Sequence, residues 1–455
     1  MPKVLSKPSY QIAAIATVVL FFFSSLRHIL FKSGAYDLGI FDQAVYLISQ
    51  REVPISSLMG FHILGDHAAW ILYLLAIPYK IYPSVYWLLF IQSLALSIAV
   101  LPLWQLSKLN GLSERQCITV ALIYLLYPAI FNINLFDFHP DVLALPLLFT
   151  AVLTAKKNNI LGFILSILFI LGCKEIFSLT VIALGLWLLL VEKKRSYGFL
   201  AIISGLIWFM IATGIIIPFY SHGEAAGVHR YSFLGSSVSQ VSSNIIFKPW
   251  LILGHIFIKE NLEYLIFLIL PVIWAFSFKS LWYLLPAIPT LVLNLITDYQ
   301  PQKDLTHHYS LVILPFLMLM VIAAVVYDKG KYARIWSLIC FLIFAKYLYF
   351  TGNYLNSLDS WQATTESISR IKDNGSVLTW PETVAHLSQR KEIYMALDES
   401  KLDNLEKFDH ILLNQRHPGW LSSPEKISNL ITRVQNESNL KLDYQKDGVF
   451  LFNKK

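Results

Sequence analysis

The sequence predicts a mainly α-helical, polytopic membrane protein with a small α/β domain towards its C-terminal end, and three observations carry that expectation. Of 455 residues, 56% are hydrophobic, 14% aromatic and only 14% charged, whereas soluble domains are about one quarter charged. Apolar runs that cross roughly 30 Å of hydrocarbon, or nearly do, recur along most of the chain. After about Gly352 the composition turns polar and charged for roughly a hundred residues, enough for a small soluble domain. The expected division is therefore a transmembrane domain over 1–352 and a soluble α/β domain over 353–455.

The runs fall at 10–31, 84–106, 117–135, 141–155, 160–172, 176–191, 198–219, 264–278, 281–296, 309–327 and 335–350, about eleven crossings. The first is too long for a signal-peptide core and has no small-residue cleavage site near its end, so it is expected to stay as an anchor. The runs at 141–155 and 160–172 are short, since about 13 helical residues span only about 20 Å and must tilt or thin the bilayer. Alternate connections collect Lys3 and Lys7, Lys108 and Arg115, Lys156 and Lys157, Lys193 to Arg195, Lys279, then Lys329, Lys331 and Arg334. That side is expected to be cytoplasmic, together with the N-terminus, in the plasma membrane. The reading requires Ala68 to Tyr82, interrupted by Pro78 and Pro83, to lie in the outer interface without crossing. An odd number of crossings then sends the C-terminal domain to the extracytoplasmic side.

Within that domain, Ser376–Trp380 and His410–Asn414 read as short strands, and Pro381–Gln389 as a helix opening on proline. Pro424–Glu437 reads as a second helix, and Leu440–Asn453 as a hairpin turning at Lys446-Asp447-Gly448. The net charge of +7 is explained by the basic connections, and no nucleic-acid motif accompanies it. Cys117, Cys173 and Cys340 lie far apart in or beside apolar runs, without metal-knuckle or redox spacing, and are expected to be buried free thiols.

Ionisable groups at a membrane edge are costly and mark candidate sites. Asp37, Asp42 and Gln43 follow the first run directly; on a helix the two acids lie about 140° apart, so one carboxylate is a better catalytic candidate than a matched pair. The bland alternative is a connector whose acids are solvated. His62, Asp66 and His67 supply two imidazoles around a carboxylate, suited to metal ligation, proton relay or a plain polar loop. Asp137, His139 and Asp141 alternate with apolar residues, so an extended backbone points all three one way, as a metal or a phosphate-bound metal would require; a helix starting at Pro140-Asp141 is the competing reading. Lys174 with Glu175, and His307 with His308, are candidate phosphate ligands and their partners, or a self-neutralising pair at the interface. No P-loop, dinucleotide fingerprint, H-E-x-x-H or G-x-S-x-G occurs.

Taken together, Y-D-L-G-I-F-D-Q at 36–43, H-I-L-G-D-H at 62–67, F-D-F-H-P-D at 136–141, K-E at 174–175, H-H-Y-S at 307–310 and H-L-S-Q-R-K-E-I-Y at 386–394 resemble a family of bacterial and archaeal membrane proteins of unknown function. That family is in turn similar to the GT-C glycosyltransferases, multi-pass enzymes that use lipid-phosphate-linked sugars. The resemblance implies an acidic residue after the first crossing, interfacial helices, then a returning span. GT-C enzymes commonly carry adjacent acids at that place, whereas Asp37 is followed by Leu38.

What the resemblance implies is transfer of a sugar from a polyprenyl-phosphate donor at the outer face. Asp37 would be the general base, with Asp42, Gln43, Lys174, Glu175, His307 and His308 binding substrate. A divalent ion would be held by Asp66, His67, Asp137 and His139. A transporter or lipid-handling protein, whose polar groups line a path, and a non-catalytic envelope scaffold are the competing expectations.

Overall fold

The computed structural model describes residues 6–327, 329–397, 402–420 and 422–455; Lys3, expected on the cytoplasmic side, lies outside them. The chain forms two compact units, one of Met1–Phe21, Leu64–Ile71 and Phe90–Lys346, the other of Phe22–Ile63, Leu72–Leu89 and Tyr347–Lys455, each in its described residues.

Among the described residues, five helices are long and apolar enough to cross a membrane: Lys7–Ile29, Tyr86–Leu109, Arg195–Ser221, Phe278–Ile296 and Gln300–Val326. Two bent pairs, Glu114–Leu125 with Pro128–Leu135 and Ala333–Phe344 with Lys346–Leu355, raise the number to seven. Length and composition thus account for five to seven crossings, and the rest of the expected eleven fall on shorter helices such as Asp141–Lys156, Ile160–Leu171 and Phe177–Leu190. The twelve residues of Ile160–Leu171 extend only about 18 Å. Leu72–Tyr79, inside the stretch expected to stay at the interface, has eight residues, or about 12 Å, too short to cross.

The bends have identifiable causes. Pro128, at the first position of its helix, has no N–H to continue the ladder and turns the first pair by 45°. At the second, Ala345 is extended and the direction changes by 43°. Asn132 takes up the backbone groups freed there: its Nδ2 donates to the Phe344 carbonyl at 3.1 Å and its Oδ1 accepts from the Lys346 N–H at 2.8 Å. Small residues let helices meet closely: a Cβ at Gly185 of Phe177–Leu190 would stand 2.7 Å from the Gly198 carbonyl of Arg195–Ile211. The three cysteines are free and buried.

The second unit contains a five-stranded sheet of β1 (Val377–Thr379), β2 (Ile393–Met395), β3 (His410–Asn414), β4 (Leu440–Lys446) and β5 (Val449–Lys454) in the order β2-β1-β3-β5-β4. The first three positions are parallel, and the β4–β5 hairpin adds antiparallel strands. Its turn residues Asp447 and Gly448 both have positive φ, as a right-twisted two-residue hairpin requires. Alternation along the strands divides the core. Leu378, Ile411, Leu413 and Phe452 pack against Ile427, Leu430 and Val434 of the helix Pro424–Asn436. Val377, Leu412 and Leu451 face the other way, onto Trp380, Val384, Leu387, Ala363 and, from the start of the chain, Ala35. Strand β2 and the helix Trp361–Arg370 were not expected from the sequence, and the unit that holds Tyr347–Lys455 also includes 22–63 and 72–89.

That association is polar as well as apolar. Asp42, fully buried, accepts from the Tyr79 hydroxyl at 2.6 Å and from the Ser388 hydroxyl at 2.6 Å. Gln43 donates to the carbonyls of Arg390 and Lys391, both at 3.2 Å, bonds to the Ser57 hydroxyl, and accepts from the Ser57 N–H at 2.9 Å. Gly39 lies so close to Val384 that a Cβ would stand 2.9 Å from its Cγ1. The motifs at 36–43 and 386–394 are thus partners in one interface.

Two outcomes are expected. Gly185→Val should lower stability by about 1–3 kcal/mol through overpacking, read as the thermal unfolding midpoint in detergent, while Leu186→Val beside it, on an exposed face, should leave it unchanged. Burial pushes the Asp42 carboxyl up to about 6 despite the bonds from Ser388 and Tyr79. The folded state then holds this proton more tightly than the unfolded one, so the contribution to stability is full below about pH 4 and is lost, by roughly 2–3 kcal/mol, as pH rises to about 6. Asp42→Asn should remove that slope, leaving its midpoint flatter than wild type between those pH values.

Candidate functional site

The first unit gathers ionisable groups where connections meet helix ends. Asp141 opens the helix Asp141–Lys156, whose positive end favours a carboxylate. Lys174 and Glu175 lie in the short link between Ile160–Leu171 and Phe177–Leu190. His67 ends the single turn Leu64–His67, and its carbonyl accepts from the Glu175 N–H at 3.2 Å, joining the two segments. His308 and Tyr309 begin the 3-10 turn leading into Leu314–Val326.

Their side chains converge. The Lys174 ammonium stands 3.4 Å from Asp141 Oδ1, with less than a tenth of either side chain exposed. His67 Nδ1 meets Glu175 Oε2 at 3.1 Å, and its Nε2 lies 3.6 Å from Asp66. Burial works against an imidazolium at His67, but the carboxylates of Asp66 and Glu175 outweigh it and raise the group above its ordinary value. At Lys174, burial likewise opposes the charge, and Asp141, Tyr309 and Glu175 more than compensate, so it stays an ammonium. His308 is buried, 3.7 Å from Asp141, with neither ring nitrogen hydrogen-bonded. It is stacked on His139, at 3.9 Å between ring centroids, and meets the tilted ring of Tyr309 at 4.2 Å.

Of these, His67, Asp141, Lys174, Glu175 and Tyr309 border a cavity of about 160 Å³, well above the 10–15 Å³ that one water needs. One end carries His67, Asp141, Lys174 and Glu175; its wall continues through Phe177, Phe209, Val241, Ile245 and Leu293. A second cation borders it. Arg230 lies 5.2 Å over the Tyr309 ring and 4.4 Å over Tyr299, and its Nη1 donates to Gln302 at 3.3 Å. Lys174 approaches the same Tyr309 ring at 5.8 Å. A polar end with two cations and an apolar wall suits an amphiphilic anion.

Not every candidate belongs to this cluster. The extended backbone expected over 137–141 is not found, because Asp137 has φ 87° and Asp141 starts a helix. His307 bonds to Asp304 at 2.8 Å, which also receives the N–H groups of Thr306 and His307 in a local turn. His62 belongs to the second unit, where it meets the Tyr73 hydroxyl at 3.4 Å. Asp42 and Gln43 are buried in the second unit's interface, and Asp37 lies half-buried in the π-turn Ala35–Gly39 of the same unit. Among the described residues no group of three or more His, Cys, Asp or Glu could hold a metal ion. His67 is engaged by both Asp66 and Glu175, and His139 is stacked on His308, so this set does not fit a divalent ion.

Arg230 was not singled out in the sequence. Its signal was one cation in an aromatic-rich connection, Val228-His229-Arg230-Tyr231-Ser232-Phe233.

The fold has counterparts among solved structures. The crystal structure of ArnT from Cupriavidus metallidurans bound to undecaprenyl phosphate superposes with a TM-score of 0.55 at 9% identity, covering 97% of each chain. ArnT of the same organism in the apo state gives 0.52 at 11% identity, covering 97% of this chain and 98% of that one. ArnT is a GT-C glycosyltransferase, so the likeness expected from the motifs is found in the fold. No curated protein matches the sequence. Residues 27–451 match the family described as "Predicted membrane protein (DUF2079)", and the chain, a multi-pass membrane protein, belongs to that family.

Proposed function

We propose that the protein is a GT-C-like glycosyltransferase that takes a sugar from a polyprenyl-phosphate-linked donor at the outer face of the plasma membrane, the side opposite the Lys- and Arg-rich connections. The observation that carries this reading is the first unit's cavity, whose apolar wall ends at Lys174 and Arg230 about one tyrosine ring. An isoprenoid chain has no polar atoms and its phosphate is a strong anion, so the two halves of such a donor match the two halves of the cavity. The ArnT fold, solved elsewhere with undecaprenyl phosphate, supports the same choice of lipid.

Each group then has a role. Lys174 and Arg230 hold the phosphate and stabilise the charge that grows on it as the glycosidic bond breaks. Asp141 and Glu175 orient Lys174 and His67, and His308, with open ring nitrogens, donates to a phosphate or sugar oxygen. Asp37 is the proposed general base that takes the proton of the acceptor hydroxyl. With no fitting ligand set, no step is assigned to a metal.

Undecaprenyl phosphate should bind the full chain in native mass spectrometry, and Lys174→Gln should weaken it about 10–150-fold, the loss of one charge-assisted bond. Unchanged binding by that variant would sink the phosphate role. In proteoliposomes fed radiolabelled lipid-linked sugar, Asp37→Asn should abolish transfer and leave binding and the thermal midpoint intact; wild-type turnover by Asp37→Asn removes it from the mechanism. Flux of the lipid across the bilayer without sugar transfer would replace the enzyme reading with a lipid-handling one.

A further inference from the structure

A separate cavity lies wholly within the second unit, and its volume of about 250 Å³ is again far above what one water fills. Its lining brings the aromatic rings of Trp380 and Phe31 together with Lys32, Glu382, Arg416 and His417. These residues come from just after the first helix, from the start of Pro381–Leu387 and from the loop after β3. None takes part in the proposed transfer.

Two features decide what the cavity suits. The first is an unmet hydrogen-bond need: Glu382 Oε2 is buried with no partner. Gly419, with φ +86°, packs so closely on that oxygen that a Cβ there would stand 2.7 Å away, and Glu382 itself lines the cavity. The second is charge balance. Arg416 and His417 are both engaged by Asp359, at 3.4 and 2.6 Å. Lys32 donates to the Ser357 hydroxyl at 2.8 Å and lines the same cavity as Glu382. Burial pushes Glu382 up and Lys32 down, while each draws the other back towards its charged form. An anion would gain no net attraction here and would meet Glu382; a cation would meet Lys32 and Arg416.

We propose that this cavity binds a neutral carbohydrate ring, with one ring hydroxyl donating to Glu382 Oε2, another accepting from the Lys32 ammonium, and the apolar C–H face lying on Trp380 and Phe31. A sugar offers donors, acceptors and an apolar face at once, without charge. The site is independent of the transfer reaction and stands even if no sugar is transferred.

The test is saturation-transfer NMR on the full chain in lipid nanodiscs, prepared without maltoside or glucoside detergents because these carry the probe. The probes are D-glucose, D-galactose, D-mannose and N-acetyl-D-glucosamine, with D-glucuronate as the charged comparison. At least one neutral sugar should receive saturation, and glucuronate about tenfold less. Glu382→Gln and Lys32→Met should each reduce the signal about tenfold, with thermal midpoints near wild type. If Glu382→Gln does not fold, Lys32→Met reads a second residue of the same cavity. Signal for none of the neutral sugars, signal that survives Lys32→Met, or equal signal for glucuronate overturns the proposal.

Discussion

Two opposite charges 3.4 Å apart, each more than nine-tenths withdrawn from solvent, set the terms for the first unit. Taking an ammonium and a carboxylate out of water costs several kcal/mol per ion, and their attraction offsets this only with good geometry and further hydrogen bonds. Apolar residues of similar size would be at least as stable, so the Lys174–Asp141 pair is better understood as a site than as a brace. Its surroundings agree. Glu175 and Asp66 hold His67, the imidazoles of His139 and His308 stack beside Asp141, and Tyr309 presents one ring to both Lys174 and Arg230. Removing either member of the pair would leave the other buried and uncompensated, and the remaining groups are arranged around that fact.

The second unit shows a different use of polar residues. Asp42 and Gln43 look catalytic in a linear reading because they follow a membrane helix and sit in a dense motif. In the fold they hold Tyr79, Ser57 and the 388–391 segment through buried hydrogen bonds. A buried carboxylate with two hydroxyl donors and a carboxamide with its groups occupied are well suited to fix a register and poorly exposed to substrate. Asp37, one turn earlier and half-buried, is the acid of the motif that keeps access to solvent.

Much of this architecture was legible in the residues. Apolar length placed membrane helices, β1 and β3 read as short strands, the Lys446-Asp447-Gly448 turn placed the terminal hairpin, and proline marked the helix start at Pro381. The crossing number was less legible, because apolar composition alone does not separate a spanning helix from a short buried one such as Ile160–Leu171. Clustering was legible only where groups were adjacent in sequence. Lys174 with Asp141 spans 33 positions and Arg230 with Gln302 spans 72, and no local periodicity encodes such meetings. The expectation for 137–141 failed for a local reason: alternation argues for a strand only if φ stays extended, and Asp137 adopts a left-handed value. Strand β2 was missed because Ile393–Met395 follows directly on the charged run Arg390-Lys391-Glu392, with no turn residue to mark its start.

The bond from Ser388 to Asp42 joins positions 346 apart in the chain. Synthesis at about 5–20 residues per second separates the two ends by roughly 17–70 s. For that interval the nascent protein carries a carboxylate, a carboxamide and the apolar side of Ala35 whose partners have not yet left the ribosome. Insertion of the early helices and closure of the second unit are therefore distinct events in time, and the segment after the first helix is a natural client for a chaperone until the last strands arrive.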